Sequence, residues 1–209
     1  LPISLTRNEP VMRLKQDSDA VPALTARSVL LVDATQGSVL FSDNAEKEIP
    51  LASLTKLATV ITFLELHIPA TNRVIISASD VVDARSALAA GDDVSVNDLI
   101  GLTIVGSSNS AAKALITASG LSPEYFVGRM NVLARELGLS HMRFVEPTGL
   151  NAGNVGTALD VYRLLDESGH YPEVRAFAQK DSYTFWNGKE EKTMKATDEL
   201  VAGGVPFRG

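Results

Sequence analysis

Apolar and polar positions alternate along the chain first with the period of strands, then with the period of helices. Two β-rich runs, Ser28 to Asp33 and Ser38 to Ser42, flank the Gly-containing turn Ala34 to Gly37, the pattern of a hairpin. The segment "PLASLTKLATVITFLEL" then turns at Pro50 into a helix, where Leu57, Val60, Ile61 and Leu64 fall at i, i+3, i+4 and i+7. That spacing predicts one buried stripe and a helix packed on or under the sheet. An apolar helical run from Asn97 to Val105 stops at Gly106, and after "SSNS" a second run, "AAKALITAS", stops at Gly120. In "LSPEYFVGRMNVLARELG", Ser122 is placed to cap, Pro123 takes the first helical position and Gly138 follows the end. Thr157 and Gly169 bound "TALDVYRLLDESG" in the same way. Near the end, Asn187 and Gly188 stand between two extended runs in "SYTFWNGKEEKTMKA", the signal for a two-residue hairpin turn.

Hairpin, helices, hairpin is the order of an α+β protein whose antiparallel sheet is built from both chain ends, with a helical lobe at about 67–170. Residues Leu1 to Thr25 carry no clear period and read as an extended lead-in to one domain over 26–209. With 209 residues and 45% hydrophobic content, that domain can bury a real core. A net charge of −6, and no Lys/Arg block interleaved with aromatics, removes the footprint of a nucleic-acid binder. The chain has no cysteine, which excludes disulfides, thiolate catalysis and Cys-ligated zinc. His67, His141 and His170 are scattered, so no metal and no cofactor is expected. No apolar run approaches the ~20 residues of a membrane span. The start at Leu1 without methionine is that of a processed or trimmed product, which leaves room for a removed export signal.

Chemistry is carried first by Ser53 and Lys56. A serine hydroxyl is a weak nucleophile that needs a base within hydrogen-bond reach, and side chains three apart on a helix share a face. A helix N-terminus also favours a developing oxyanion near Ser53 and eases deprotonation of a lysine beside it. The pattern alone is not distinctive, because Ser-x-x-Lys recurs at Ser110 and Lys113. Ser-x-Asn occurs three times, at Ser42 to Asn44, Ser95 to Asn97 and Ser107 to Asn109. Taken singly, each fits a helix cap or a turn.

Order and context single out two of them. "ASLTKL" opens a helix just after a hairpin, and "GSSNSAA" follows downstream between two helices. This arrangement resembles the serine-type penicillin-binding proteins and related β-lactamases, whose signature is Ser-x-x-Lys, a Ser-x-Asn type motif and Lys-Thr-Gly. It is most similar to the low-molecular-mass D-alanyl-D-alanine carboxypeptidases. The resemblance runs from about Ala26 to the end, through "SVLLVDATQGSVLFSDNAEKEIPLASLTKL", "LAAGDDVSVNDLIGLTIVGSSNSAA" and "ELGLSHMRFVEPTGLNAGN". It implies a β-lactamase/DD-peptidase-like fold, a peptidoglycan stem peptide ending in D-Ala-D-Ala as substrate, β-lactam antibiotics as inhibitors, and export to the periplasm or the outer face of the cell envelope. It further implies that Ser53 is the acylated nucleophile and Lys56 its base. Ser107 would relay a proton to the departing D-alanine, Asn109 would bond the substrate backbone and help fix Lys56, and the Ser53 N–H would supply half of an oxyanion hole.

The third motif is missing. The closest string, Lys192-Thr193-Met194, falls in the last hairpin and lacks the glycine that lets substrate backbone approach. A chain cut short before the inner sheet strand is expected over a natural variant, because a sheet without that strand leaves unpaired edges and an uncovered apolar helix face. Activity of the chain as it stands should then be crippled, since losing one oxyanion donor costs ~3 kcal/mol in other acyl-transfer enzymes. Two alternatives stand beside this expectation. One is a class A type β-lactamase, with Glu146 activating water near Asn151; the other is a non-catalytic cell-wall binding module of the same fold.

Overall fold

The computed structural model describes residues 24–83 and 86–197. The lead-in up to residue 23 and the stretch from 198 lie outside the described residues. Strand β1 (Val29–Asp33) pairs antiparallel with β2 (Ser38–Asp43), and Gly37, at φ 68°, closes the turn with its N–H on the Asp33 carbonyl. Next come β3 (Ile49–Pro50), a single 3-10 turn (Ala52–Leu54) and α1 (Thr55–Leu64). The helix expected from Pro50 is therefore divided: Ser53 sits on the 3-10 turn and Lys56 on the first turn of α1.

Strands β4 (Arg73–Ile75) and β5 (Asp93–Ser95) pair and lead into α2 (Val96–Val105), which Ser95 and Asp98 cap reciprocally. Helix α3 (Asn109–Ser119) begins inside the "SSNS" tetrapeptide, with Ser108 as its cap and Gly120 at φ 69° as its stop. Helix α4 (Pro123–Glu136) has the predicted Ser122 cap, Pro123 start and Gly138 at φ 67°. Strand β6 (Val155–Gly156) returns to pair with β3, and α5 (Ala158–Ser168) follows its Thr157 cap. A short α6 (Pro172–Ala178), which the sequence pattern did not separate, precedes β7 (Ser182–Trp186) and β8 (Glu191–Lys195).

The class is α+β, as expected. Among the described residues, however, the first and last hairpins pair only within themselves, so no single sheet joins the two chain ends. The last hairpin also differs in its connection, which is a four-residue loop and not a two-residue turn. The buried Asn187 accepts the N–H groups of Lys189 and Glu190 and donates to Asp92, fixing the loop from inside. Gly188 takes φ 94° in that loop.

Helix α1 is the centre of the molecule, packed by α2, α3, α4 and α5 rather than lying on a sheet. Ala58, Val60, Ile61 and Phe63 are fully buried, but so are Thr55, Lys56, Thr59 and Thr62, so the helix is enclosed nearly all round and not along one stripe. Two of its buried threonines hold a neighbouring loop. Thr59 Oγ1 donates to the Pro147 carbonyl at 2.6 Å, and Thr55 Oγ1 accepts from Asn154 Nδ2 at 3.1 Å, fastening the 146–154 loop along the helix. An apolar groove of about 300 Å³, lined by Leu57, Ile104, Leu165, Val174 and Ala178, opens beside α1.

Candidate active site

Ser53 is presented on a strained turn. Ala52, the residue before it, sits at φ 48°, a left-handed conformation that costs a non-glycine residue ~1 kcal/mol or more. Ser107 is at φ 51°, so two of the four non-glycine residues with positive φ among the described residues lie at the two motifs. The Ala52 turn is clamped by Gly149, whose φ is 88° and whose Cα lies so close to the turn that an added Cβ would stand 1.9 Å from the Ala52 carbonyl oxygen. Only glycine fits there.

Lys56 reaches back from α1 and donates to Ser53 Oγ at 3.0 Å and to the Thr148 carbonyl at 2.7 Å. The side chain is 2% exposed. Burial lowers its pKa to about 8, although the nearby carboxylates of Asp83 and Glu146 pull in the opposite direction. About a tenth of such a lysine is neutral at pH 7, against well under a thousandth of an ordinary one. A neutral amine within hydrogen-bond distance of a serine hydroxyl is a competent general base.

The 146–154 loop exists to hold that geometry. The Glu146 carboxylate accepts from the Thr148 N–H at 2.7 Å, the Thr148 hydroxyl at 2.5 Å, the Gly149 N–H at 2.6 Å, the Asn151 N–H at 3.3 Å and Asn154 Nδ2 at 2.9 Å. Burial pushes the Glu146 carboxyl up, but the Thr148, Asn151 and Gly149 donors outweigh it and hold the group below the usual range. Glu146 thus orients the Thr148 carbonyl that receives Lys56. That carbonyl takes the part expected of Asn109, which is not a hydrogen-bond partner of Lys56 here.

The second motif is gathered by a residue that sequence reasoning missed. Asp83 Oδ1 accepts from Asn109 Nδ2 at 2.6 Å, and Oδ2 accepts from the Ser110 N–H at 3.0 Å, the Ser110 hydroxyl at 3.2 Å and the Ser108 hydroxyl at 3.4 Å. The Ser110 hydroxyl in turn accepts the N–H groups of Val82 and Asp83. Burial raises the Asp83 carboxyl, yet the Ser110 and Asn109 hydrogen bonds prevail and hold it below its ordinary value. Since the Asp83 charge acts on Lys56, the two motifs are electrostatic neighbours. Ser107 is half-buried on the turn between α2 and α3.

The near-match to a third motif is spent on structure. Lys192 Nζ donates to the Ala87 carbonyl at 3.3 Å and faces the buried Asp92 at 3.5 Å, Thr193 pairs with Thr184 at 2.8 Å, and Met194 lies against Gly106. An added Cβ on Gly106 would meet Met194 Sδ at 1.5 Å. Among the described residues there is no cluster of His, Asp or Glu that could hold a metal, and no helix long and apolar enough to cross a membrane.

Known proteins resemble the chain in sequence and in fold. The chain is 37% identical over 174 residues to a D-alanyl-D-alanine endopeptidase of Pseudomonas aeruginosa, covering 82% of this chain and 53% of that protein. It is 30% identical over 185 residues to a D-alanyl-D-alanine endopeptidase of Escherichia coli, covering 86% and 60%. The chain therefore spans a little over half the length of these relatives. Penicillin binding protein 6B of Escherichia coli superposes with a TM-score of 0.75 at 32% identity, covering 89% of this chain and 62% of that one. A DD-transpeptidase of Streptomyces K15 superposes at 0.80 over 88% of this chain and 79% of its own, with 22% identity, a likeness of fold. The model of the D-alanyl-D-alanine carboxypeptidase family matches residues 15–204, and the chain belongs to that family of peptidases.

Proposed function

We propose that the chain carries the acylating half of a serine DD-peptidase site that acts on peptidoglycan stem peptides ending in D-Ala-D-Ala. One observation carries this reading: a buried Lys56 amine, its pKa lowered to about 8, hydrogen-bonded to Ser53 Oγ. In the proposed reaction the neutral Lys56 amine takes the Ser53 proton as Oγ attacks the carbonyl of the penultimate D-alanine. The Ser53 N–H stabilises the tetrahedral oxygen, Ser107 passes a proton to the departing amine, and an ester on Ser53 remains for water to cleave. A β-lactam would be attacked by the same oxygen and leave a longer-lived ester. Residues 26–209 then form an incomplete peptidase domain. The apolar groove beside α1 and the edges of the β1–β2 pair, which no other strand among the described residues shares, support a further strand, bearing Lys-Thr-Gly, as the third wall. Such a substrate lies on the outer side of the membrane, which argues for export.

Glu146 argues against the β-lactamase alternative, because both its oxygens are engaged by its own loop. The binding-module alternative is disfavoured by the lowered Lys56 pKa, for which simple binding has no use. A second specificity has its own support. Relatives named endopeptidases favour cleavage of D-alanyl cross-links over trimming of the terminal D-alanine. Incubating the longest native form with benzylpenicillin should give a penicilloyl adduct by intact mass. No adduct, or one that survives Ser53→Ala, would sink the enzyme reading. Release of free D-alanine from a stem pentapeptide, against cleavage of a cross-linked dimer, decides between the two specificities.

A further inference from the structure

The contacts of Asp83 go beyond holding a loop. An ionised carboxylate can only accept, so the Asn109 side-chain atom at 2.6 Å from Oδ1 must be the amide nitrogen. The other end of that planar amide, Asn109 Oδ1, therefore points away from Asp83, and no donor among the described residues reaches it. We propose that Asp83 is a positioning residue of the acylation site, which fixes the orientation of the Asn109 amide with Oδ1 turned away from the carboxylate and sets the α3 N-terminus behind Ser107. This rests on the DD-peptidase reading for its consequence, though the geometry stands without it.

Three features make the lock specific. The carboxylate accepts the Ser110 N–H at the first turn of α3, where unpaired donors and the helix dipole favour negative charge. The Ser108 hydroxyl, which caps α3 by accepting from the Ala111 N–H, directs its own proton to Asp83. The hydroxyl of Ser110, fully buried, accepts the backbone N–H groups of Val82 and Asp83, so the acid and the motif hold one another. With one Nδ2 hydrogen held by Asp83, Asn109 presents Oδ1 to a substrate N–H or to Lys56 and keeps its second Nδ2 hydrogen for a substrate carbonyl. Asp83 also supplies, with Glu146, the negative charge that opposes the burial of Lys56.

Asp83→Asn and Asp83→Glu separate charge from geometry. In Asp83→Asn the charge is gone, so the Lys56 side-chain NMR titration and the acid limb of Ser53 acylation by a fluorescent penicillin both move to lower pH, by about half a unit. The Asn109 side-chain amide loses its hydrogen-exchange protection in the same variant. In Asp83→Glu, whose longer arm keeps the charge but displaces the oxygens, the Lys56 titration stays near its wild-type position. The Asn109 amide signal still shifts, and acylation falls about tenfold. If Asp83→Asn fails to fold, the Asp83→Glu pair of readouts alone carries the test. A shifted Lys56 titration with no acylation in any form, wild type included, leaves the positioning role intact and defeats the peptidase reading. Unchanged Lys56 titration and an unchanged Asn109 amide in folded Asp83→Asn, with wild-type acylation intact, overturn the positioning role.

Discussion

The chain contains the same four-residue pattern twice, and the two copies have opposite fates. Ser53 and Lys56 are joined by a 3.0 Å hydrogen bond across a 3-10 turn and the start of α1, with the lysine buried at the centre of the helices. Ser110 and Lys113 both lie within α3; there the serine is sealed in the core and bound to Asp83, and the lysine is half-exposed with no hydrogen bond to it. What separates the proposed nucleophile from a structural hydroxyl is therefore the surroundings of the lysine. One is desolvated and fixed by the Thr148 carbonyl, and the other remains in contact with water.

The largest expected effect breaks the comparison at its centre. Ser53→Ala should abolish the penicilloyl adduct in intact mass, whereas Ser110→Ala should leave adduct formation detectable and lower stability by about 1–2 kcal/mol in a denaturant melt. Next, Lys56→Met should slow acylation by about a thousandfold, the usual worth of a general base, and Lys113→Met by less than about twofold in the same stopped-flow assay. The wild-type rate should rise about tenfold per pH unit up to pH ~8 and then level off, as the Lys56 amine becomes neutral.

A smaller effect sharpens the role of the loop. Glu146→Gln leaves some of the Thr148, Gly149 and Asn154 donors short of a partner and should cost about 2 kcal/mol at neutral pH by thermal or chemical denaturation. Because the folded-state carboxyl is held low, this contribution is complete above the unfolded carboxylate range and is lost as pH falls through the folded value. The stability gap between wild type and variant should therefore close below about pH 4. Smallest of all, Gly106→Ala should cost about 1 kcal/mol, since the flexible Met194 side chain can move aside, and Met194→Ala should recover most of that loss.

Local rules reached the caps and stops because these are decided by neighbouring residues: Ser122 with Pro123, Thr157, Gly120 and Gly138 all stand where their chemistry places them. They also reached Ser53 and Lys56, whose contact spans three residues. They could not reach Asp83, because nothing in an irregular segment announces a bond to a helix start some two dozen residues on. The Thr148 carbonyl was equally hidden, since every residue has one and only the fold decides which faces Lys56. The periodicity of α1 misled for a related reason. Thr55, Thr59 and Lys56 count as polar in a pattern, yet they are buried against the 146–154 loop, which supplies partners for all three. The four-residue loop at Asn187 likewise follows from a tertiary bond to Asp92 that the Asn-Gly pair does not advertise.

Peptide mapping of the penicilloyl adduct tests the central contrast most directly. Trypsin releases Glu48 to Lys56, which contains Ser53 as its sole serine, separately from Ser86 to Lys113, which contains Ser107 and Ser110. The mass increment of the antibiotic should appear on the Glu48 to Lys56 peptide and vanish with Ser53→Ala. An increment on the Ser86 to Lys113 peptide, with Glu48 to Lys56 unmodified, would contradict the assignment of Ser53 and Lys56 as nucleophile and base.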